Sequence, residues 1–212
     1  MDGFQHEGAF AAGEPIRRAS ELAARPGRTV LGIAGAPGAG KSSLAARLAA
    51  AVPGAVVVPM DGFHRTTADL AERGWVAERG TPRTFDADAF VALLRLLRTG
   101  APVQAPAFDR SREEPVPAAI AVPAAAPLVI VEGNYLLLDT APWAPVAELL
   151  DECWFVEVPE HIRLARLVER HVRYGRTVEE ATARATRGSD ADNARLVAAT
   201  RGRAQRAVTE LI

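Results

Sequence analysis

The sequence predicts an α/β three-layer sandwich: a mostly parallel five-stranded sheet with helices on both faces. Short apolar runs of strand length alternate with segments of helical period, and turns rich in Gly and Pro separate them. The 212 residues, 49% hydrophobic and 24% charged, suffice for one compact core. Runs that are apolar throughout, rather than alternating, suit parallel strands buried on both sides.

Residues 1–13 are expected to form a flexible N-terminus and 14–212 a single domain. Glu14–Ala24 reads as a first helix with Ile16, Ala19 and Ala23 inward. Thr29–Ala34 (TVLGIA) is a buried strand that runs into a glycine-rich loop and the helix Lys41–Ala51. Ala55–Pro59 is the second strand, and Ala87–Leu97 a helix with Leu93, Leu94 and Leu97 on its apolar face. Residues 99–127, dense in Pro and Ala without either period, read as a long excursion with one strand near Val103, the kind of loop that covers a substrate. Leu128–Val131, Cys153–Val158 and Ala207–Ile212 complete the sheet, and a helical lid is expected over about 160–187.

Composition narrows the function. A formal net charge of -1 gives no basic surplus for phosphate backbones, so no nucleic acid partner is expected. The single cysteine, Cys153, excludes an internal disulfide and a multi-thiolate zinc site and fits a reducing, cytoplasmic setting. The acidic start MDGFQHEGAFAAGEP lacks the basic and apolar regions of a signal peptide, and no run approaches the roughly 20 apolar residues of a membrane span, so no membrane partner is expected. The oligomeric state is open, and a homodimer is compatible with everything read here.

Lys41 is the only lysine among 25 basic side chains. A chain that otherwise uses Arg keeps a compact ammonium at one position, and that position lies in GAPGAGKS, residues 35–42. This is G-x-x-x-x-G-K-S between a predicted strand and a predicted helix, the context that a P-loop requires. Gly35, Gly38 and Gly40, with Ala36, Pro37 and Ala39 between them, let the backbone curl so that amides converge on phosphate oxygens at a helix N-terminus. Lys41 would reach the terminal phosphates, Ser42 would ligate Mg²⁺, and Ser43 continues the cradle. Guanine-specific switches usually carry a second lysine in a base-reading segment; none exists here, so ATP is the nucleotide expected.

The second strand runs into MDGFH and the third into EGNY, which puts Asp61 and Glu132 at the mouth of one sheet. One carboxylate can orient or deprotonate an attacking hydroxyl while the other serves the metal; Asp61 is assigned the first role and Glu132 the second, with the reverse open. From about Glu160, Arg163, Arg166, Arg170 and Arg173 share one helix face, while Ala165, Val168 and Val172 form an apolar one. Arg166 and Arg170 are the candidates for stabilising charge in the transition state. His64 and Arg65, just after the Asp61 turn, are placed to bond an acceptor.

GAPGAGKS, PMDGFHR, RGTPRTFD, PAFDRSREEP, VIVEGNYLLL and RLARLVERHVRYGR, in that order, resemble the uridine kinase, phosphoribulokinase and bacterial pantothenate kinase superfamily. More narrowly the chain resembles the branch of nucleoside/nucleotide or sugar-transport-associated kinases, from about Thr29 to the C-terminus. The resemblance implies a P-loop kinase with ATP and Mg²⁺, and it makes Asp61 the residue acting on the acceptor hydroxyl. It also implies acceptor contacts at Asp86, Asp109 and Arg112 and places Asn193 near the adenine; Arg83 and Tyr135 are further acceptor candidates. Thr81–Asp86 keeps only the last acid of the family's His-Pro-Asp-Ala-Phe-Asp segment, so nucleoside specificity does not carry over. The lid segment is one residue shorter before Gly175. The reading is thus an ATP-dependent kinase for a hydroxyl of a small metabolite (nucleoside, sugar or pantothenate-like alcohol), the alternative being an ATP-hydrolysing switch.

Overall fold

The computed structural model describes Phe10 and residues 13–209. Seven strands form among them: β1 (Thr29–Ala34), β2 (Val56–Pro59), β3 (Val103–Asp109), β4 (Glu114–Val122), β5 (Leu128–Gly133), β6 (Glu152–Val156) and β7 (Arg206–Val208). The helices are α1 (Glu14–Ala23), α2 (Lys41–Ala51), α3 (Thr67–Glu72), α4 (Ala87–Arg98), α5 (Pro145–Glu148), α6 (Glu160–Arg173), α7 (Val178–Arg187) and α8 (Ser189–Ala198). Five strands make one parallel sheet in the order β2-β5-β1-β6-β7.

Every residue of β1, β5 and β6 is buried, because helices cover both faces. Side-chain alternation divides β1 between two cores: Val30 joins Phe90, Leu94 and Trp143 on one face, while Leu31 and Ile33 join Leu22, Leu48 and Trp154 on the other. The predicted α/β class and five-stranded sheet are those observed. No helix among the described residues is long and apolar enough to cross a membrane.

Three expectations are corrected. The first helix packs through Ala19 and Leu22, whereas Ile16 is 37% exposed. Charge docks it as well: Arg18 donates to the buried Glu152 at 2.8 and 3.1 Å, and Glu152 also accepts from Trp154 Nε1 at 2.8 Å. The flexible N-terminus falls mostly outside the described residues; Phe10, which is described, is buried edge-on to Trp154 and its amide donates to Ala207 O at 3.0 Å. The proposed last strand is three residues long, and residues 210–212 lie outside the described part.

The third correction matters for function. Residues 99–127 contain an antiparallel hairpin, β3–β4, where one strand was expected. Pro106, Pro115 and Pro117 give no backbone donor, and the many alanines blur the period-2 pattern. A separate two-stranded ribbon with a register shift between Ala105 and Ala107 tolerates both. The ribbon lies against the 3₁₀ turn Met60–Phe63 so closely that a Cβ on Gly62 would collide with Pro106 O.

Candidate active site

The cradle sits where β1 meets α2, at the carboxyl ends of the central strands. Gly38 has φ +84°, and a Cβ there would stand 2.7 Å from Arg163 O, so the loop conformation and the approach of α6 both need glycine. Gly40 caps α2 without a side-chain hydrogen bond, which leaves first-turn amides for a ligand. Lys41 is buried; its ammonium donates to Asn134 Oδ1 at 2.7 Å and Ala36 O at 3.2 Å. Burial lowers its pKa to about 8, against the opposing pull of Glu132 and Asp61. Ala39 N donates to Ala36 O at 3.1 Å, closing the loop on itself.

Strand register assembles the acids. Glu132 on β5 is level with Ile33 of β1 on one side and Pro59 of β2 on the other, so it lies between the cradle and the turn that carries Asp61. Ser42 Oγ donates to Glu132 Oε1 at 2.8 Å. Two hard oxygen donors side by side beside a phosphate cradle fit Mg²⁺, which takes one or two protein ligands and completes its shell with phosphate and water. Burial pushes the Glu132 carboxyl up, and Asp61 adds to that, against Lys41 and Ser42. Asp61 behaves oppositely. Burial works to raise it, but the charges of Arg110, Lys41 and Arg170 hold it below the ordinary carboxylate range. Their environments thus shift the two carboxyls in opposite directions.

Lys41, Ser42, Asp61, His64, Glu132 and Arg170 all line one cleft of about 250 Å³. Helices α6, α7 and α8 close its far side with His171, Arg184, Asp190 and Asn193. His171 Nε2 and Asp190 Oδ2 are 2.6 Å apart. The stripe on α6 divides by depth. Arg170 faces the cleft, while Arg163 is buried, bonds Pro37 O at 3.0 Å and Glu160, and so braces the cradle. Arg166 falls outside the cleft lining. The apolar face expected on this helix is not the packed one: Leu167 and Arg163 are buried, while Val172 is 39% exposed, because α6 leans on the cradle through the same side as its arginines.

Several acceptor candidates lie elsewhere. Asp86 caps α4, accepting from Ala89 N at 2.9 Å. Arg65 pairs with Asp69 at 3.1 Å, and Arg83 with Glu78 beneath the Trp75 ring. Asp109 accepts from Ser111 and from the Arg112 amide, which folds the hairpin tip, and neither Asp109 nor Arg112 lines the cleft. Tyr135 is fully buried and spends its hydroxyl on Gly80 O; Asn193 Nδ2 donates to the same carbonyl at 2.9 Å. Ser43 is exposed on α2. Sequence reasoning passed over Asn134, which holds Lys41, and Arg110, whose guanidinium is 2.5 Å from Asp61 Oδ2. Both stand inside quoted motifs, EGNY and FDRSR, one position from the residues chosen.

Residues 30–204 match the family model "Phosphoribulokinase / Uridine kinase family". A Schizosaccharomyces pombe protein provisionally named a uridine kinase is 38% identical over 189 residues, which cover 82% of this chain and 80% of that one. A crystal structure from Silicibacter sp. TM1040, of a protein provisionally named a fructose transport system kinase, has a TM-score of 0.83 and 37% identity, covering 91% of this chain and 98% of its own. Saccharomyces cerevisiae YFH7, described as P-loop-containing and circularly permuted, shares the fold at a TM-score of 0.80 and 17% identity, covering 92% of this chain and 96% of its own.

Proposed function

The chain belongs to the phosphoribulokinase/uridine kinase family, whose members are ATP-dependent kinases, and on that premise we propose that it transfers the γ-phosphoryl group of ATP to a hydroxyl of a small metabolite in the cytoplasm. A nucleoside, a sugar or a pantothenate-like alcohol would fit a cleft of this size; the similar proteins carry uridine and fructose in their names. One observation carries the proposal: the Asp61 carboxylate lines the same cleft as Lys41, with Ser42 and Glu132 in that cleft too.

The residues divide the work by position. The cradle amides and Lys41 hold the phosphates, and Ser42 with Glu132 would hold Mg²⁺. When bound, that ion neutralises charge on the transferred group. Asp61, kept ionised, orients the acceptor hydroxyl and takes its proton. His64, kept neutral, presents a ring flanked by Phe85 and Phe108, an apolar wall with a polar edge for an acceptor. Arg170 brings positive charge from the lid.

A coupled ADP-release screen over nucleosides, sugars, sugar phosphates and pantothenate tests this. Lys41→Ala should lose nucleotide binding, while Asp61→Asn should bind ATP normally and lose turnover by roughly 100-fold or more. Background ADP release across the whole panel would defeat the proposal, and release with ATP and water alone would favour a hydrolase. Equal loss of ATP binding in both variants would make Asp61 a structural residue.

A further inference from the structure

The hairpin β3–β4 lines the cleft with Phe108, Arg110 and Glu113, and through Arg110 it reaches Asp61. Arg110 stands at its turn, 41% exposed, and lines the cleft. Its Nη2 donates to Asp61 Oδ2 at 2.5 Å; no other side-chain hydrogen bond from this guanidinium is found among the described residues. An arginine has five N–H donors, so most remain for a ligand. Asp61 keeps Oδ1 for the acceptor hydroxyl.

The position of Arg110 is central as well as close. Its charge acts on Lys41, Asp61, Glu132 and Arg170 alike, so it lies within electrostatic reach of the phosphate anchor, both acids and the lid arginine. Arg110 and Arg170 both line the cleft, one from the hairpin and one from α6, and burial together with the charge of Arg110 lowers the Arg170 pKa. Asp61 and Glu132 offset part of the repulsion between these guanidinium groups, and an anionic ligand in the cleft would offset more.

Resting on the kinase reading above, we propose that Arg110 is a further catalytic residue: while one amino group holds Asp61, the others meet the oxygens of the phosphoryl group in transfer. In that step a bond forms between the acceptor oxygen and the γ-phosphorus. The bond from that phosphorus to the β,γ-bridging oxygen breaks, and its electron pair leaves with ADP. The acceptor proton passes to Asp61 Oδ1, and Arg110 keeps all of its protons. Arg110 thus adds a charge from the hairpin to the one that Arg170 brings from α6.

The test needs no knowledge of the acceptor. Fluorescent mant-ADP with Mg²⁺ is titrated into the whole protein with and without aluminium fluoride, which mimics the phosphoryl group in flight. Wild type should bind at least tenfold more tightly with aluminium fluoride. Arg110→Ala should lose most of that increment, keep its affinity for mant-ADP alone within about threefold, and melt with wild type; Arg110→Lys should recover part of the increment. An Arg110→Ala variant that retains the full increment overturns the proposal. A wild type with no increment, while mant-ADP still binds, overturns the transfer reading and this assignment together, whereas a normal increment kept without Arg110 leaves the kinase reading standing.

Discussion

Acidification should destabilise this protein through His64 before it acts through the bulk of its carboxylates. The ring stacks on Phe85 at 3.9 Å between centroids and lies 4.8 Å from Phe108, and its buried Nδ1 has no hydrogen-bond partner. Desolvation dominates, with Arg79 and Arg110 opposing protonation as well; Asp61 and Glu113 favour it but lose, and the pKa falls from 6.5 to about 4. The unfolded chain therefore binds a proton that the folded chain refuses between those values. Stability is unaffected above pH 6.5 and declines as pH drops from there towards 4. At about 1.4 kcal/mol per unit the loss approaches roughly 3 kcal/mol in full and about 2 kcal/mol at pH 5. For a chain of this size that is a fall in melting temperature of roughly 4–8 °C at pH 5. The assay is urea or thermal unfolding of wild type and His64→Gln from pH 7.5 to 4.5. The variant starts lower because it loses ring packing, but its slope between pH 6.5 and 5 should be shallower by about 2 kcal/mol over that interval. Parallel slopes would refute the reasoning and mean that His64 is protonated in the fold.

Two further substitutions separate scaffold from chemistry. Asp86→Ala should cost about 1 kcal/mol through the lost cap of α4 and leave kcat/KM unchanged, as read by melting and ADP release; lost turnover at normal stability would return Asp86 to the acceptor site. Gly38→Ala forces a Cβ to within 2.7 Å of Arg163 O at φ +84°, so melting should fall by at least several degrees and nucleotide affinity by tenfold or more, and a variant that binds ATP normally would show that α6 can retreat from the cradle.

The residues legible in advance were those whose role is local to the chain. The cradle declares itself because one backbone conformation, one ammonium and one hydroxyl must follow one another without interruption, and Asp61 and Glu132 because each directly follows, or lies two residues beyond, the apolar run of a strand. The acceptor side was not legible in this way. Asp86 and Asp109 resemble ligands by type and spacing, yet backbone amides three residues on or nearer claim both of them. Arg110 lies in the stretch read as a long excursion, and it is the fold of the hairpin that brings it to Asp61.

By itself the sequence determined the layer order of a parallel sheet, since runs apolar on both faces have no other stable surroundings, and the chemistry of a phosphate site, since that chemistry is written in consecutive residues. The tertiary structure alone decided which arginines meet the acids and which brace the scaffold. Those contacts join residues 49 and 126 positions apart, as in Arg110 with Asp61 and Arg163 with Pro37, and depend on packing that no local pattern records.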